Sequence, residues 1–205
     1  MEQVLKVYKR PYDPRCPVVG FDESPKQLIA ETRRPIRCAD GRRLYDYEYE
    51  RRGVSNIFLA VAPLEGKRYV KLYKQRTKQE FVAFMQYLAD EIYPDAVSIT
   101  VVMDNLNTHD KASFYEYLPA DEASRLADRF EFVFTPEHGS WLNVAEIELA
   151  VLQGQCLNRR MDDPEWVAQE TMAWAKERNA REHRIDWRFE TQDARIKLKH
   201  LYPTL

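Results

Sequence analysis

Three apolar runs constrain the fold of this 205-residue chain more than any other feature of its sequence. They span Val18–Phe21, Ile57–Ala62 and Ile99–Met103. Continuous apolar runs, and β-branched residues such as those in the third run, are typical of strands buried inside a sheet. A chain of this length can also enclose a sizeable core. The sequence therefore predicts one large domain built around a central sheet.

Between and after these runs, apolar residues recur at helical spacing or alternate with polar residues. Thr77 and Glu80 have the spacing of a capping box, and apolar residues follow at helical spacing until Pro94, which predicts a helix. Other helices are predicted around residues 111–128, from Ser140 to about Leu157, and from Asp163-Pro164 onward. Alternating residues predict strands at Tyr45–Glu50, Tyr69–Tyr73 and Phe130–Phe134. Leading strands followed by alternating strands and helices indicate an α/β fold with a mixed sheet.

Two segments lack such patterns. Residues 1–16 are polar and contain several prolines, so they are expected to form an N-terminal arm or linker ahead of a domain at 17–205. The basic tail from Ile185 to Tyr202 is expected to be irregular or strand-like. No apolar stretch is long enough to span a membrane, and the N-terminus lacks a secretory signal. These two features lead us to expect a cytoplasmic protein.

Charge is distributed unevenly along the chain, although the net charge is only −2. Residues 1–80 carry 18 Lys and Arg against 11 Asp and Glu, whereas residues 81–180 carry 7 against 18. A basic N-terminal third can present a surface to phosphate groups. A solvated charged face is the alternative, and charge alone favours it.

Acidic residues stand where predicted strands end or where a predicted helix faces the core. Asp22 follows the first apolar run, and Asp104 follows the third. Glu146 shares the edge of a helical apolar stripe with Asn143, whereas Glu148 is expected to face elsewhere. A carboxylate at the mouth of a core costs free energy unless a cation or another partner compensates it. Three such carboxylates at one rim of a sheet could bind a hard divalent metal.

Each carboxylate also has a simpler interpretation. Asp22 and Asp104 are each in a position to start an Asx turn, which is a common use of aspartate after a strand. Glu146 taken alone is explained by a hydrogen bond to a local partner at the edge of the core. The three residues therefore point to a metal site only in combination.

Three segments resemble the catalytic blocks of DDE transposases, in the bacterial insertion-sequence branch of the mariner-like superfamily. They are Phe21-Asp22-Glu23, Met103 to His109 with the pattern Asp-Asn-x-x-x-His, and Pro136 to Glu146 with the pattern Leu-Asn-x-x-Glu. The tail segments Asp186–Phe189 and Asp193–Leu198 resemble the same group, so the similarity extends over residues 15–203. The resemblance implies a ribonuclease-H-like fold, with a central mixed five-stranded sheet and helices on both sides.

The resemblance also implies roles for individual residues. Carried over position by position, Asp22, Asp104 and Glu146 are the expected catalytic and metal-binding residues. The expected cofactor is Mg²⁺, for which Mn²⁺ can substitute. Two such ions would bridge the carboxylates, one activating water or a 3′-hydroxyl and the other stabilising the leaving oxygen. The auxiliary motif positions are Asn105, His109, His138 and Asn143.

The expected partner is double-stranded DNA, both the ends of a mobile element and its target, bound by a homodimer associated with the nucleoid. Basic pairs are expected to contact DNA phosphates without reading sequence, namely Arg33, Arg34, Arg42, Arg43, Arg51 and Arg52. Family members carry an N-terminal helix-turn-helix region that is not seen here, so a separate helix-turn-helix polypeptide is a further expected partner. A stand-alone nuclease of the same fold and a non-catalytic DNA-binding or dimerising relic are the alternatives.

Overall fold

The computed structural model describes residues 1–104, 110–136 and 139–197. Its strands are β1 Val18–Glu31, β2 Ile36–Arg37, β3 Arg43–Leu44, β4 Tyr49–Ala62, β5 Lys67–Tyr73, β6 Ile99–Met103 and β7 Phe130–Phe134. Its α-helices are α1 Glu2–Tyr8, α2 Lys78–Gln86, α3 Ala112–Tyr117, α4 Ala120–Arg129, α5 Val144–Leu152, α6 Pro164–Ala180 and α7 Thr191–Lys197. Short π-helical segments extend α2 and α5, over Tyr87–Ile92 and Gln153–Leu157.

Five strands form one mixed sheet in the order β5-β4-β1-β6-β7. β1, β4 and β5 pair antiparallel, whereas β6 lies parallel to β1 and β7 lies parallel to β6. β2 and β3 form a separate small hairpin between β1 and β4. The predicted mixed five-stranded sheet is therefore confirmed.

Each face of the sheet has its own apolar core, because side chains alternate between the faces along every strand. Phe21 and Phe58 belong to the core that the side chains of α2, α3 and α4 complete. Leu59 and Val102 belong to the opposite core, which the side chains of α1, α5 and α6 complete. The molecule is thus a sheet with helices on both sides, and β1 contributes to both cores.

The helix predicted from the capping box is confirmed. The Thr77 side chain accepts a hydrogen bond from a backbone N–H in the first turn of α2, and Glu80 accepts one from the Thr77 backbone. Phe81 and Phe84 are fully buried beneath the sheet, as their helical spacing predicts. The helical backbone continues to Ile92. The strands predicted at Tyr69–Tyr73, Ile99–Met103 and Phe130–Phe134 and the helix from Asp163-Pro164 are also observed.

β1 is far longer than the apolar run at Val18–Phe21 that predicts it. The strand continues to Glu31 as one side of a long hairpin with β4. Among the described residues, β6 pairs only with Val18–Gly20, so no strand pairs with the later part of β1 on that side, and the N–H of Ile29 donates instead to the carbonyl of Met161 at 2.7 Å. Pro25 therefore removes no hydrogen bond from that edge. The proline and its polar neighbours concealed the extension in the sequence.

Three further predictions need correction. The strand predicted at Tyr45–Glu50 is observed only at Tyr49 and Glu50, which begin β4, because the Asp46 side chain accepts a hydrogen bond from the N–H of Glu48 in a turn before the strand. The single helix predicted around 111–128 is two helices, which meet at the residues around Pro119. Ser140 begins a 3₁₀ turn and does not cap α5, whose N-cap is Asn143.

Described segments near both ends of the chain are more regular than the sequence predicts. The interpretation of residues 1–16 as an arm is wrong for residues 2–8, which form α1. Val4, Leu5 and Val7 of this helix are buried in the same core as α5. Part of the tail is also helical, since α7 packs beside α1 and Arg195 pairs with Glu2 at 2.7 Å. Across the described residues, no helix has both the length and the apolar character needed to cross a bilayer.

Candidate active site

Asp22 and Asp104 lie on neighbouring strands and on the same face of the sheet. β1 and β6 are parallel, with Gly20 opposite Val102. Two residues further along each chain, the same register brings Asp22 beside Asp104, which directly follows β6. Because side chains alternate between the two faces along a strand, both carboxylates project from the same face of the sheet as Val102. Helix α5 packs on that face.

The N-terminus of α5 is attached to β1 through Asn143. The side chain of Asn143 accepts a hydrogen bond from the N–H of Ala145 at 3.1 Å, which caps the helix. Its amide also donates to the carbonyl of Phe21 at 2.8 Å, and this bond is buried. Because Glu146 lies in the first turn of α5, the cap holds that residue close to the strand of Asp22.

Gly20 permits this close approach of helix and strand. A Cβ atom at this position would lie 2.4 Å from Cγ2 of Val144 and 3.2 Å from the backbone nitrogen of Ala145. Contacts this short force neighbouring atoms to move. The glycine therefore determines how near the first turn of α5 comes to β1.

Glu146 is half-buried in that first turn. Its Oε2 atom is buried and has no hydrogen-bond partner in the part of the chain that the structure describes. A buried carboxylate oxygen without a partner costs free energy, so native structures usually satisfy such atoms. A bound cation is one partner that would satisfy this oxygen.

The surroundings of Asp22 are partly buried and carry negative charge. The pKa of Asp22 is raised from its ordinary value of 3.8 to about 7. Burial is the main cause, and the negative charges of Asp104, Glu23 and Glu146 add to it. A hydrogen bond of 2.8 Å from the N–H of Glu23 acts in the opposite direction. Asp22 is therefore an acid held in a half-buried, negatively charged environment.

The three carboxylates do not yet form a complete ligand set. Within residues 1–104, 110–136 and 139–197, no three His, Cys, Asp or Glu side chains are placed to hold one metal ion. The chemistry of the three carboxylates still fits a hard divalent cation, because they offer clustered oxygen donors and include the unpaired Oε2 of Glu146.

The auxiliary motif positions divide into two groups. Asn143 is almost fully buried, and its hydrogen bonds join α5 to β1. Its position in the motif is therefore explained by a structural contact beside the candidate site. Asn105, His109 and His138 lie outside the described residues.

The six arginines expected at DNA phosphates lie apart from the carboxylates. All are exposed on the segment from Thr32 to Gly53, called the arm below, which follows β1 and contains β2, β3 and the first five residues of β4. Ile29, seven residues beyond Asp22 on β1, pairs with Arg51, which puts the base of the arm about 23 Å along the strand from Asp22. The arm is therefore separated from the carboxylates along the length of β1.

Half of these arginines are already paired. Arg33 pairs with Asp46 at 3.3 Å, Arg42 with Asp40 at 2.6 Å, and Arg52 with Glu50 at 2.8 Å. The other three make no ion pair with any carboxylate that the structure describes, namely Arg34, Arg43 and Arg51. Arg34, Arg43 and Arg51 are thus three arginines of the arm whose guanidinium groups form no ion pair within the described residues.

Two residues that hold α5 in place escaped the sequence analysis. The hydroxyl of Tyr8 accepts a hydrogen bond from the N–H of Val144 at 3.3 Å, and burial raises the pKa of that hydroxyl. At the other end, Lys26 Nζ donates to the carbonyls of Leu157 at 2.5 Å and Arg159 at 2.8 Å. Neither residue belongs to a local motif, so only the three-dimensional structure reveals these contacts.

Comparison with known proteins gives this chain a family. Residues 17–167 match the family described as DDE superfamily endonuclease. This match covers most of the chain, and the protein therefore belongs to that family. A search of curated proteins found no match.

Solved structures show the same architecture. A crystal structure of the Mos1 mariner paired-end complex with Mn is similar with a TM-score of 0.58 and 16% identity, over 89% of this chain and 55% of that one. A Mos1 transposase paired-end complex with the left transposon end gives a TM-score of 0.59 and 17% identity, over 94% and 59%. The fold is thus the ribonuclease-H-like fold of transposase catalytic cores. The chain spans little more than half the length of these relatives.

Proposed function

We propose that this chain is the catalytic domain of a metal-dependent DNA transposase from the bacterial insertion-sequence branch of the mariner-like group. It cuts DNA at the ends of a mobile element and joins the resulting 3′-hydroxyl to target DNA. The observation that supports this most is the geometry of the sheet, because the parallel β1–β6 register brings Asp22 beside Asp104 and the Asn143 cap holds the first turn of α5, with Glu146, against β1. The spacing of the family motifs around these residues supports the choice of branch.

Asp22, Asp104 and Glu146 are the residues that would hold Mg²⁺ or Mn²⁺. Carboxylate oxygens are the ligands that these hard cations prefer, and no thiolate or imidazole ligand is needed. When bound, paired divalent ions supply activation of a water or hydroxyl nucleophile and stabilisation of the leaving oxygen. The partially protonated Asp22 would have to release its proton to bind, so metal affinity should increase with pH.

Other residues of the chain would position the substrate and the site. Asn143 keeps the first turn of α5 on β1, so that Glu146 stays on the side of Asp22. The arm would contact phosphates through Arg34, Arg43 and Arg51, which fixes the duplex without reading its sequence. Recognition of specific element ends would then require a helix-turn-helix region, on this or another polypeptide, and pairing of two ends would require a dimer.

A DNA-nicking assay with matched variants tests the proposal. Supercoiled plasmid is incubated with Mg²⁺ and either wild type, Asp104→Asn or Asp90→Asn. Asp90 is a control because it is an exposed aspartate that pairs with Arg125 far from the carboxylates. We expect wild type and the control to nick equally, and Asp104→Asn to be slower by at least a hundredfold, on the order of a lost metal ligand. Equal nicking by all three proteins would refute the assignment.

A joining assay separates transposition from simple nuclease activity. Precleaved DNA ends with a free 3′-hydroxyl are mixed with a plasmid target and wild-type protein. Covalent products that depend on the 3′-hydroxyl support a transposase. Nicking without any joined product would instead favour a stand-alone nuclease of the same fold.

A further inference from the structure

A buried ion triplet lies on the opposite side of α5 from the candidate active site. It consists of Glu148 on α5, Arg68 on β5 and Arg178 on α6. Oε2 of Glu148 accepts from Nε of Arg68 at 3.0 Å, and Oε1 accepts from Nη2 of Arg178 at 2.8 Å. The Arg68 side chain is completely buried, and that of Glu148 is only 5% exposed. Both oxygens of one carboxylate are thus used to join three elements.

Arg68 is itself held through both its guanidinium and its backbone. Its Nη1 donates to the carbonyls of Gly66 at 2.9 Å and His183 at 2.7 Å. The side chain of Asn179 on α6 accepts from the Arg68 N–H at 2.7 Å and donates to its carbonyl at 2.9 Å. Arg68 is therefore a fixed reference point on the edge strand, against which α5 is aligned.

The geometry of the helix relates this ion triplet to Glu146. Residues two positions apart on an α-helix project about 200° from each other around its axis. In the sheet, β5 and β6 lie on opposite sides of the β4–β1 pair that α5 contacts. If Glu148 is bound on the β5 side, then Glu146 must project toward β6 and Asp104.

We propose that Glu148 and Arg68 are positioning residues, which set the rotation of α5 about its axis and thereby aim Glu146 at the metal site. The inference rests on the proposed function, since it concerns the same carboxylates. Hydrogen-bonded ion pairs are directional, whereas apolar packing is not, so apolar residues in the same space would not fix this angle. Neither residue touches the reacting atoms, and each acts through Glu146.

The test distinguishes an effect on the rotation of α5 from an effect on the stability of the protein. Three proteins are compared with wild type: Glu148→Gln, the triple variant Arg68→Met/Glu148→Leu/Arg178→Met, and Glu177→Gln. The triple variant fills the site with apolar groups, a replacement that can preserve stability. Glu177→Gln removes only an exposed pair with Arg181 on α6 and is the control. Mn²⁺ affinity is measured by calorimetry on metal-free protein, beside thermal unfolding and the Mg²⁺ concentration that gives half-maximal nicking.

We expect the triple variant to unfold near the wild-type temperature but to bind Mn²⁺ about tenfold more weakly, as is typical when groups that orient metal ligands are removed. Glu148→Gln should also bind Mn²⁺ about tenfold more weakly at temperatures where it is fully folded. The half-maximal Mg²⁺ concentration should rise by the same factor in both variants, and Glu177→Gln should match wild type.

Wild-type Mn²⁺ affinity in the stable triple variant would overturn the proposal and leave the ion triplet with a structural role only. If the triple variant does not fold, Glu148→Gln decides in the same way at a temperature where it is folded. Failure of wild type itself to bind Mn²⁺ would overturn the proposed function, and with it this inference. The two failures are therefore distinguishable.

Discussion

Asp22 combines a structural cost with a proposed chemical role. A half-buried carboxylate close to other negative charges holds its proton up to a pKa of about 7, far above the ordinary 3.8. Above that pH the folded protein must ionise Asp22 in an unfavourable environment, whereas the unfolded chain ionises it freely. Such local destabilisation is common where residues serve binding or catalysis. A cation between the carboxylates would remove the cost.

Substitution of Asp22 by asparagine should therefore stabilise the metal-free protein, and more so at high pH. The folded protein binds more protons than the unfolded chain between pH 4 and 7, so this residue's contribution to stability is lost as pH rises through about 7. We expect Asp22→Asn and wild type to unfold at similar temperatures at pH 4. At pH 8 the variant should unfold several degrees higher.

Thermal unfolding at both pH values, with and without Mg²⁺, measures this effect. Added Mg²⁺ should stabilise wild type at pH 8 and leave Asp22→Asn unchanged, because ligand binding stabilises only the protein that retains the site. A difference between the two proteins that does not vary with pH would show that Asp22 does not titrate in this way.

Gly20 provides a second test at the level of single residues. In Gly20→Ala the new Cβ would meet Val144 at 2.4 Å, so α5 or β1 must shift. We expect a loss of about 1–3 kcal/mol in the free energy of unfolding, as for other overpacked sites. Gly154→Ala is the matched control, since its Cβ would have no atom within 4 Å and it lies in a helical segment.

Urea denaturation of both glycine variants gives the two free energies. Gly154→Ala should be neutral or slightly stabilising, because alanine favours helical backbone. Equal stability of Gly20→Ala and wild type would mean that the close approach of α5 to β1 is not needed, and that the location of Glu146 must have another cause.

At the scale of elements, α5 is fixed to its surroundings at both ends and on one side. Asn143 and Tyr8 hold its N-terminus, Lys26 holds the end of its π-helical extension, and Glu148 holds its flank. A helix with so many directional contacts has little freedom to slide or turn. The arm differs, since most of its residues are exposed and few packed side chains hold it to the body.

The arm should contribute to DNA affinity through charge alone. We expect Arg34→Ala/Arg43→Ala/Arg51→Ala to bind duplex DNA more weakly. The negative slope of log affinity against log salt concentration should become shallower by up to about 3. Fluorescence anisotropy at several salt concentrations measures both quantities. The effect should not depend on DNA sequence, because phosphate contacts carry no base information.

The control for this variant removes the same charge elsewhere. Lys176→Ala/Arg181→Ala/Arg188→Ala changes three exposed cations that lie outside the arm. Its salt slope should stay close to the wild-type value. Equal losses in the two triple variants would mean that net charge, and not the arm, determines DNA affinity.

Local chemistry determined which elements the sequence could predict. The helix after Thr77 and the strand Ile99–Met103 were predicted well, because a capping box and a continuous apolar run act within a few residues. The extension of β1 to Glu31 was missed because pairing with β4 stabilises it, and that pairing joins distant residues. Helix α1 was missed since its stability comes from packing against the core of α5.

The same distinction between local patterns and contacts of distant residues applies to the candidate site. The sequence was sufficient to select Asp22, Asp104 and Glu146, because each of them lies within a short recognisable motif. The ion triplet could not be foreseen, since Arg68 and Glu148 are eighty positions apart. Helical periodicity alone suggested that Glu148 faces away from Glu146, but not that it is buried among arginines.

At the scale of the whole molecule, the fold brings three remote acidic residues to one face of one sheet. The parallel β1–β6 pair aligns Asp22 with Asp104, and α5 crosses the same face with Glu146 in its first turn. The remaining elements support this arrangement from both sides of the sheet. The central claim is that these residues together bind a divalent metal for phosphodiester chemistry.

A crystal structure of the protein soaked with Mn²⁺, with the metal located by its anomalous scattering, tests that claim most directly. We predict anomalous density within ligand distance, about 2.0–2.3 Å, of carboxylate oxygens from Asp22, Asp104 and Glu146. Crystals of Asp104→Asn should lose most of this density. Strong Mn²⁺ density elsewhere, with none between the three carboxylates, would contradict the claim.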